Sequence, residues 1–144
     1  MVRPSHAAAL AATFLVGVIV GSGFHGSRAA AEGGTRVFEI RTYTTHPGKL
    51  DALHARFRTH TVKFFEKHGM TNVGYWVPQD APLADNTLIY VVAHKDRESA
   101  KRSWDAFRKD PDWLKARTDS EAQGPIVSKV ESVFLSPTDY SPLK

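Results

Sequence analysis

From Leu88 to Ala93 the chain reads Leu-Ile-Tyr-Val-Val-Ala, and neither parity is polar. Successive side chains of a strand point to opposite faces, so a strand of this composition must be covered on both. Two strand-like runs pass through polar turns into amphipathic helices: residues 37–43 lead into 50–68, and residues 88–94 lead into 97–107. Two helices shield one face of a small sheet. The opposite face needs another cover, most simply a second copy of the chain.

In the first run Phe38, Ile40 and Thr42 alternate with Glu39, Arg41 and Tyr43, and the second set is expected on the face that the helices leave open. His46-Pro47-Gly48 ends this strand. Leu50, Leu53, Phe57, Thr61 and Phe64 then recur at helical spacing, with Arg56, Arg58, Lys63 and Lys67 expected in solvent and Gly69 as C-cap. Residues 73–77 and 87–94 predict a hairpin with a long tip. Asp96 is placed to cap a helix carrying Ala100, Trp104 and Phe107, and Asp110-Pro111 to start a short one with Trp113 and Leu114. Gly124-Pro125 ends it, and a last strand over 126–135 carries Lys129 and Glu131, as an edge strand does. The order predicts an α+β, ferredoxin-like βαββαβ fold: a four-stranded antiparallel sheet with both helices on one side. Two such sheets face to face make a barrel.

Ahead of this domain, Arg3 precedes an uncharged run over 7–20, small residues follow, and Ala29-Ala30-Ala31 closes the segment. The pattern is that of a signal peptide over 1–31, with export to the periplasm or beyond; the rival expectation is a membrane anchor over 7–24. The 19 Lys and Arg residues include Arg3 and Arg28 of this leader, so 17 remain against 15 Asp and Glu, a mature charge of +2. That balance, without a basic stripe, argues against a nucleic-acid partner. There is no cysteine to form disulfides or carry a lipid. The chain also lacks a Gly-x-Ser-x-Gly elbow and a phosphate-binding glycine loop. His54, His60 and His68 miss the i, i+4 spacing of a helical metal site, so neither metal nor cofactor is expected.

Phe38-Glu39-Ile40-Arg41-Thr42-Tyr43-Thr44, followed by His46-Pro47-Gly48-Lys49-Leu50, resembles the opening of the NIPSNAP family. Gly74-Tyr75-Trp76 and Asp110-Pro111-Asp112-Trp113 resemble its second strand and its acidic-Pro-acidic-Trp stretch, so the resemblance runs over 36–137 and leaves 138–144 as a tail. It implies a dimeric alpha-beta barrel, a superfamily that includes cofactor-free monooxygenases, haem-degrading enzymes and small stress-related proteins. It implies no single reaction. Animal members of the family are associated with mitochondria and vesicle traffic, a setting from which an exported leader departs.

Candidate ligand-binding residues are the polar trio Glu39, Arg41 and Tyr43, the aromatics Tyr75, Trp76 and Tyr90, and His94. Glu39 and Arg41 share a face and are expected to pair, with anion binding by Arg41 as the alternative. Tyr75 and Trp76 have opposite parity, so one of them belongs to the core. His94 ends its strand and is expected at the surface, where it could otherwise move a proton. Together these features predict an exported homodimer that binds a small hydrophobic or aromatic molecule in a mostly apolar barrel pocket. A cofactor-independent monooxygenase or isomerase using His94 or Arg41, and a structural or adaptor dimer with a filled interior, are the rival expectations.

Overall fold

The computed structural model describes residues 36–144; the leader expected over 1–31 lies outside them. The elements are β1 (Val37–Thr45), α1 (Leu50–Arg56), a π-helical turn (Phe57–Thr61), α2 (Val62–Lys67), β2 (Thr71–Trp76), β3 (Thr87–His94), α3 (Arg97–Lys109), α4 (Pro111–Ser120) and β4 (Val127–Leu135). The strands lie in the order β2-β3-β1-β4 with every pair antiparallel, the ferredoxin-like arrangement. β4 is an edge, as its charges predict.

Local chemistry starts and stops these elements as the sequence implies. The Asp96 side chain accepts from the Ser99 N–H at 2.6 Å to cap α3, and Asp110 accepts from the N–H groups of Asp112 and Trp113 to cap α4, with Pro111 at its first position. Gly69 ends α2 at φ 79°, a left-handed conformation that glycine adopts without penalty. His68 follows the last residue of α2 as its C-cap. Its Nε2 lies 2.7 Å from Asp110 Oδ2, so the ring ties α2 to the start of α4. Lys67 and His68 together hold the Asp110 carboxyl well below the usual carboxylate range.

Two expectations are corrected. Glu39, Arg41 and Tyr43 face the helices, and the face without helices carries Phe38, Ile40 and Thr42, paired with Ala93, Val91 and Ile89; Phe38 and Ala93 at one end of it are buried and the other four are partly exposed. Alternation alone could not choose between the parities. What decides is α3, which offers a buried indole N–H from Trp104 to the Glu39 carboxylate. Leu88, Tyr90 and Val92 accordingly form the core under the helices, while Trp76, Val133 and Leu135 stand 52 %, 55 % and 41 % exposed on the parity opposite to that core. Tyr75 packs against the core and Trp76 does not.

The second correction concerns the first helix. The Val62 N–H donates to Phe57 O, five residues back, so the turn over Phe57–Thr61 is wider than an α-turn and the buried stripe slips by one residue. Leu53, Phe57 and Thr61 are buried as the period predicts, but the next buried side chain is Phe65, not Phe64. Phe64 instead meets the Trp113 ring edge-on at 5.9 Å. Arg56, expected in water, is buried. This register is testable by denaturant unfolding: Phe65→Ala should cost about 3–5 kcal/mol, the range for a buried Phe, and Phe64→Ala clearly less. Equal losses would place the π-turn elsewhere.

Candidate functional site

Between the sheet and the helices lies a cleft of about 330 Å³. Arg41 and Tyr43 of β1 and Val127 to Val130 of β4 line it on the sheet side. The π-turn contributes Phe57 and Thr61, α3 contributes Trp104, Phe107 and Arg108, and α4 brings Trp113 and Arg117, with Glu121 just beyond its end. The capped start of α4 sets Trp113 against Phe107 with ring centroids 4.5 Å apart. Volume and aromatic walls suit a small organic molecule. The cleft is not the mostly apolar pocket that the sequence suggests, because Arg41, Arg56, Arg108, Arg117 and Lys129 all reach it and Glu121 is the acidic residue among its lining side chains.

A family model described as NIPSNAP matches residues 38–142. The chain belongs to the NIPSNAP family. No curated protein matches this NIPSNAP chain. It is similar in fold to a NIPSNAP family protein with unknown function from Agrobacterium tumefaciens: TM-score 0.65, 21% identity, covering 76% of this chain and 94% of that one. A NIPSNAP-like domain protein from Burkholderia xenovorans aligns with TM-score 0.64 at 19% identity over 75% of this chain and 90% of its own. SnoaB, a cofactor-independent oxygenase from Streptomyces nogalater, aligns with TM-score 0.51 at 17% identity over 76% and 99%. At these identities the likeness is one of fold.

Behind the NIPSNAP cleft sits a buried charge centre. Glu39, 1 % exposed, accepts from Arg41 Nη1 at 2.7 Å and Ser132 Oγ at 2.6 Å on one oxygen, and from Trp104 Nε1 at 2.6 Å and His94 Nε2 at 3.1 Å on the other. An ionised carboxylate only accepts, so Nε2 is the His94 nitrogen that carries the hydrogen. Nδ1 is buried without a partner. Burial alone would push the Glu39 carboxyl up; the four donors outweigh it and hold its pKa down to about 2, against the usual 4.5.

The structure brings some of the sequence candidates together and separates others. Arg41 and Tyr43 line the cleft, with the Arg41 guanidinium 4.2 Å from the Trp104 ring centroid. Glu39 does not line this cleft; with Arg41, Trp104 and Ser132 it borders another of about 390 Å³. His94, expected at the surface, is buried and does not line this cleft, which leaves it as a partner of Glu39 and not a group in reach of a ligand there. Tyr90 is fully buried, its ring 5.3 Å from that of Tyr43 and stacked on Tyr75 at 5.4 Å. Burial pushes the hydroxyls of Tyr75 and Tyr90 up, so both stay neutral near neutrality. Tyr75 and Trp76 line a second cleft of about 270 Å³ with Val77 and Leu88. Among the described residues no cluster of three His, Asp or Glu converges as a metal site, and no helix is long and apolar enough to cross a membrane.

Arg56, Trp104, Trp113 and Glu121 were not among the candidates. Arg56 had a signal: it follows Leu53 by three and adjoins Phe57, which puts it within the apolar stripe. Because Glu39 has a folded pKa below its usual value, its ionised form contributes stability that is complete above pH 4.5 and is lost as pH falls toward 2. Urea midpoints measured across that window should fall more steeply for the wild type than for Glu39→Gln; parallel curves would mean that the four hydrogen bonds do not favour the ionised form.

Proposed function

We propose that this NIPSNAP protein is an exported homodimer that binds a small aromatic molecule in the cleft between its sheet and its helices. The observation that carries the reading is the cleft itself, where Phe57, Trp104, Phe107 and Trp113 rise opposite Arg41 and Tyr43 around about 330 Å³ of space. An adaptor with a filled interior would leave no such room. The fold shared with the oxygenase supplies no reaction here, and His94 does not line the cleft.

Association is supported by the uncovered sheet face. Trp76, Val133 and Leu135 are exposed, and Ile40, Ile89 and Val91 are partly so, an apolar stripe that spans all four strands. Apolar surface of this continuity costs free energy in water and is relieved by a second copy of itself. Export is supported by the basic start, apolar run and Ala-Ala-Ala exit of residues 1–31.

Light scattering on the purified protein should give twice the chain mass, and Val133→Asp should return it to one chain with the far-ultraviolet spectrum unchanged. A monomeric wild type removes the association. Naphthylmethanol, a neutral aromatic probe, should raise the melting temperature, with stabilisation of about 2.7 kcal/mol at a hundredfold excess over Kd. Val130→Trp, which fills the mouth at β4, should abolish the shift; an identical shift in that variant would place the probe outside the cleft.

A further inference from the structure

Arg56 has more hydrogen-bonding capacity than the fold uses. It is 5 % exposed, its Nη1 donates to Glu121 Oε1 at 2.9 Å with a longer contact to Ser120 Oγ at 3.5 Å, and its Nε is buried with no partner. Glu121 is shared, since Arg117 Nε lies 3.5 Å from its other oxygen. Two guanidiniums therefore divide one carboxylate, on a cleft wall that also receives Arg41, Arg108 and Lys129. A buried guanidinium edge without an acceptor leaves a donor unsatisfied; Nε shares its edge with Nη2, not with the Nη1 that Glu121 holds, and a planar carboxylate accepting from Nε and Nη2 together would satisfy it.

We propose that the ligand of this cleft is an aromatic carboxylate, seated on the Nε–Nη2 edge of Arg56 beside Glu121. The inference rests on the binding reading above and names the chemical class of what is bound. The anion seat adjoins the ring seat: the Arg56 guanidinium stands 5.8 Å from the Trp113 ring centroid, and Trp113 packs on Phe107. One small molecule can thus place its carboxylate on Arg56 and its ring against the aromatic wall. Glu121 holds Nη1 and leaves the Nε–Nη2 edge open, but its charge opposes a second carboxylate beside it. It follows the last residue of α4 and its side chain is partly exposed. Charge alone does not make this seat, because an ammonium group lacks the planar fork that two carboxylate oxygens match.

Isothermal titration calorimetry on the purified protein decides the matter with naphthoate and its neutral counterpart naphthylmethanol. The wild type should bind the acid at least roughly tenfold tighter than the alcohol, a difference of about 1.4 kcal/mol. Glu121→Gln should tighten the acid several-fold and leave the alcohol unchanged. Arg56→Lys, which keeps the charge and loses the fork, should weaken the acid and not the alcohol. Equal affinity for acid and alcohol in the wild type, or an acid affinity untouched by Glu121→Gln, overturns the inference while alcohol binding keeps the broader reading intact. If neither compound binds the wild type or Glu121→Gln, both readings fall.

Discussion

The carboxylate of Glu39 is the point to which the domain is tied. It sits on the central strand β1, and its donors come from β1 itself, from β3 through His94, from β4 through Ser132 and from α3 through Trp104. An ionised group inside a protein is tolerated when every lone pair is used, and removal of one partner leaves a buried charge uncompensated. The four bonds therefore fix more than a side chain. They set which parity of β1 turns inward, dock α3 across the sheet and hold Arg41 by one edge so that its guanidinium lies along the Trp104 ring at the cleft.

That dependence explains where sequence reasoning succeeded and where it stopped. Element order, both aspartate caps, the glycine at the end of α2 and the edge position of β4 are local matters, settled by residues a few positions apart, and they were legible. The parity of β1 was not, because Phe38-Ile40-Thr42 and Glu39-Arg41-Tyr43 are each acceptable on either face until Trp104, 65 residues away, offers its N–H. Polarity pointed the wrong way: the charged set lies inside because it is paired, and the apolar set lies on the face without helices. His94 misled for the same reason, since its partner Glu39 is distant in the chain.

The π-turn over Phe57–Thr61 is the other feature hidden from simple periodicity. One extra residue in one turn moves Phe65 into the core in place of Phe64 and accompanies an Arg56 buried beside Trp113 and Glu121. Such a widened turn is less favourable than the regular helix and recurs at functional positions. Here its residues Phe57 and Thr61 themselves line the cleft. The site is thus assembled from a local irregularity in one helix, the cap that aims α4 and the buried pair that aims Arg41.

The placement of the three tryptophans has a further consequence. Trp104 and Trp113 are buried at the cleft, whereas Trp76 lies half exposed on the face without helices, folded over Gly74 so closely that any side chain there would collide with its indole. In the single chain their emission should differ accordingly, with Trp76 red-shifted and open to aqueous quenchers and the other two blue-shifted and shielded. The molecule consequently carries separate intrinsic fluorophores for its two surfaces: one dimmed or shifted when the sheet is covered, the others when the cleft is filled.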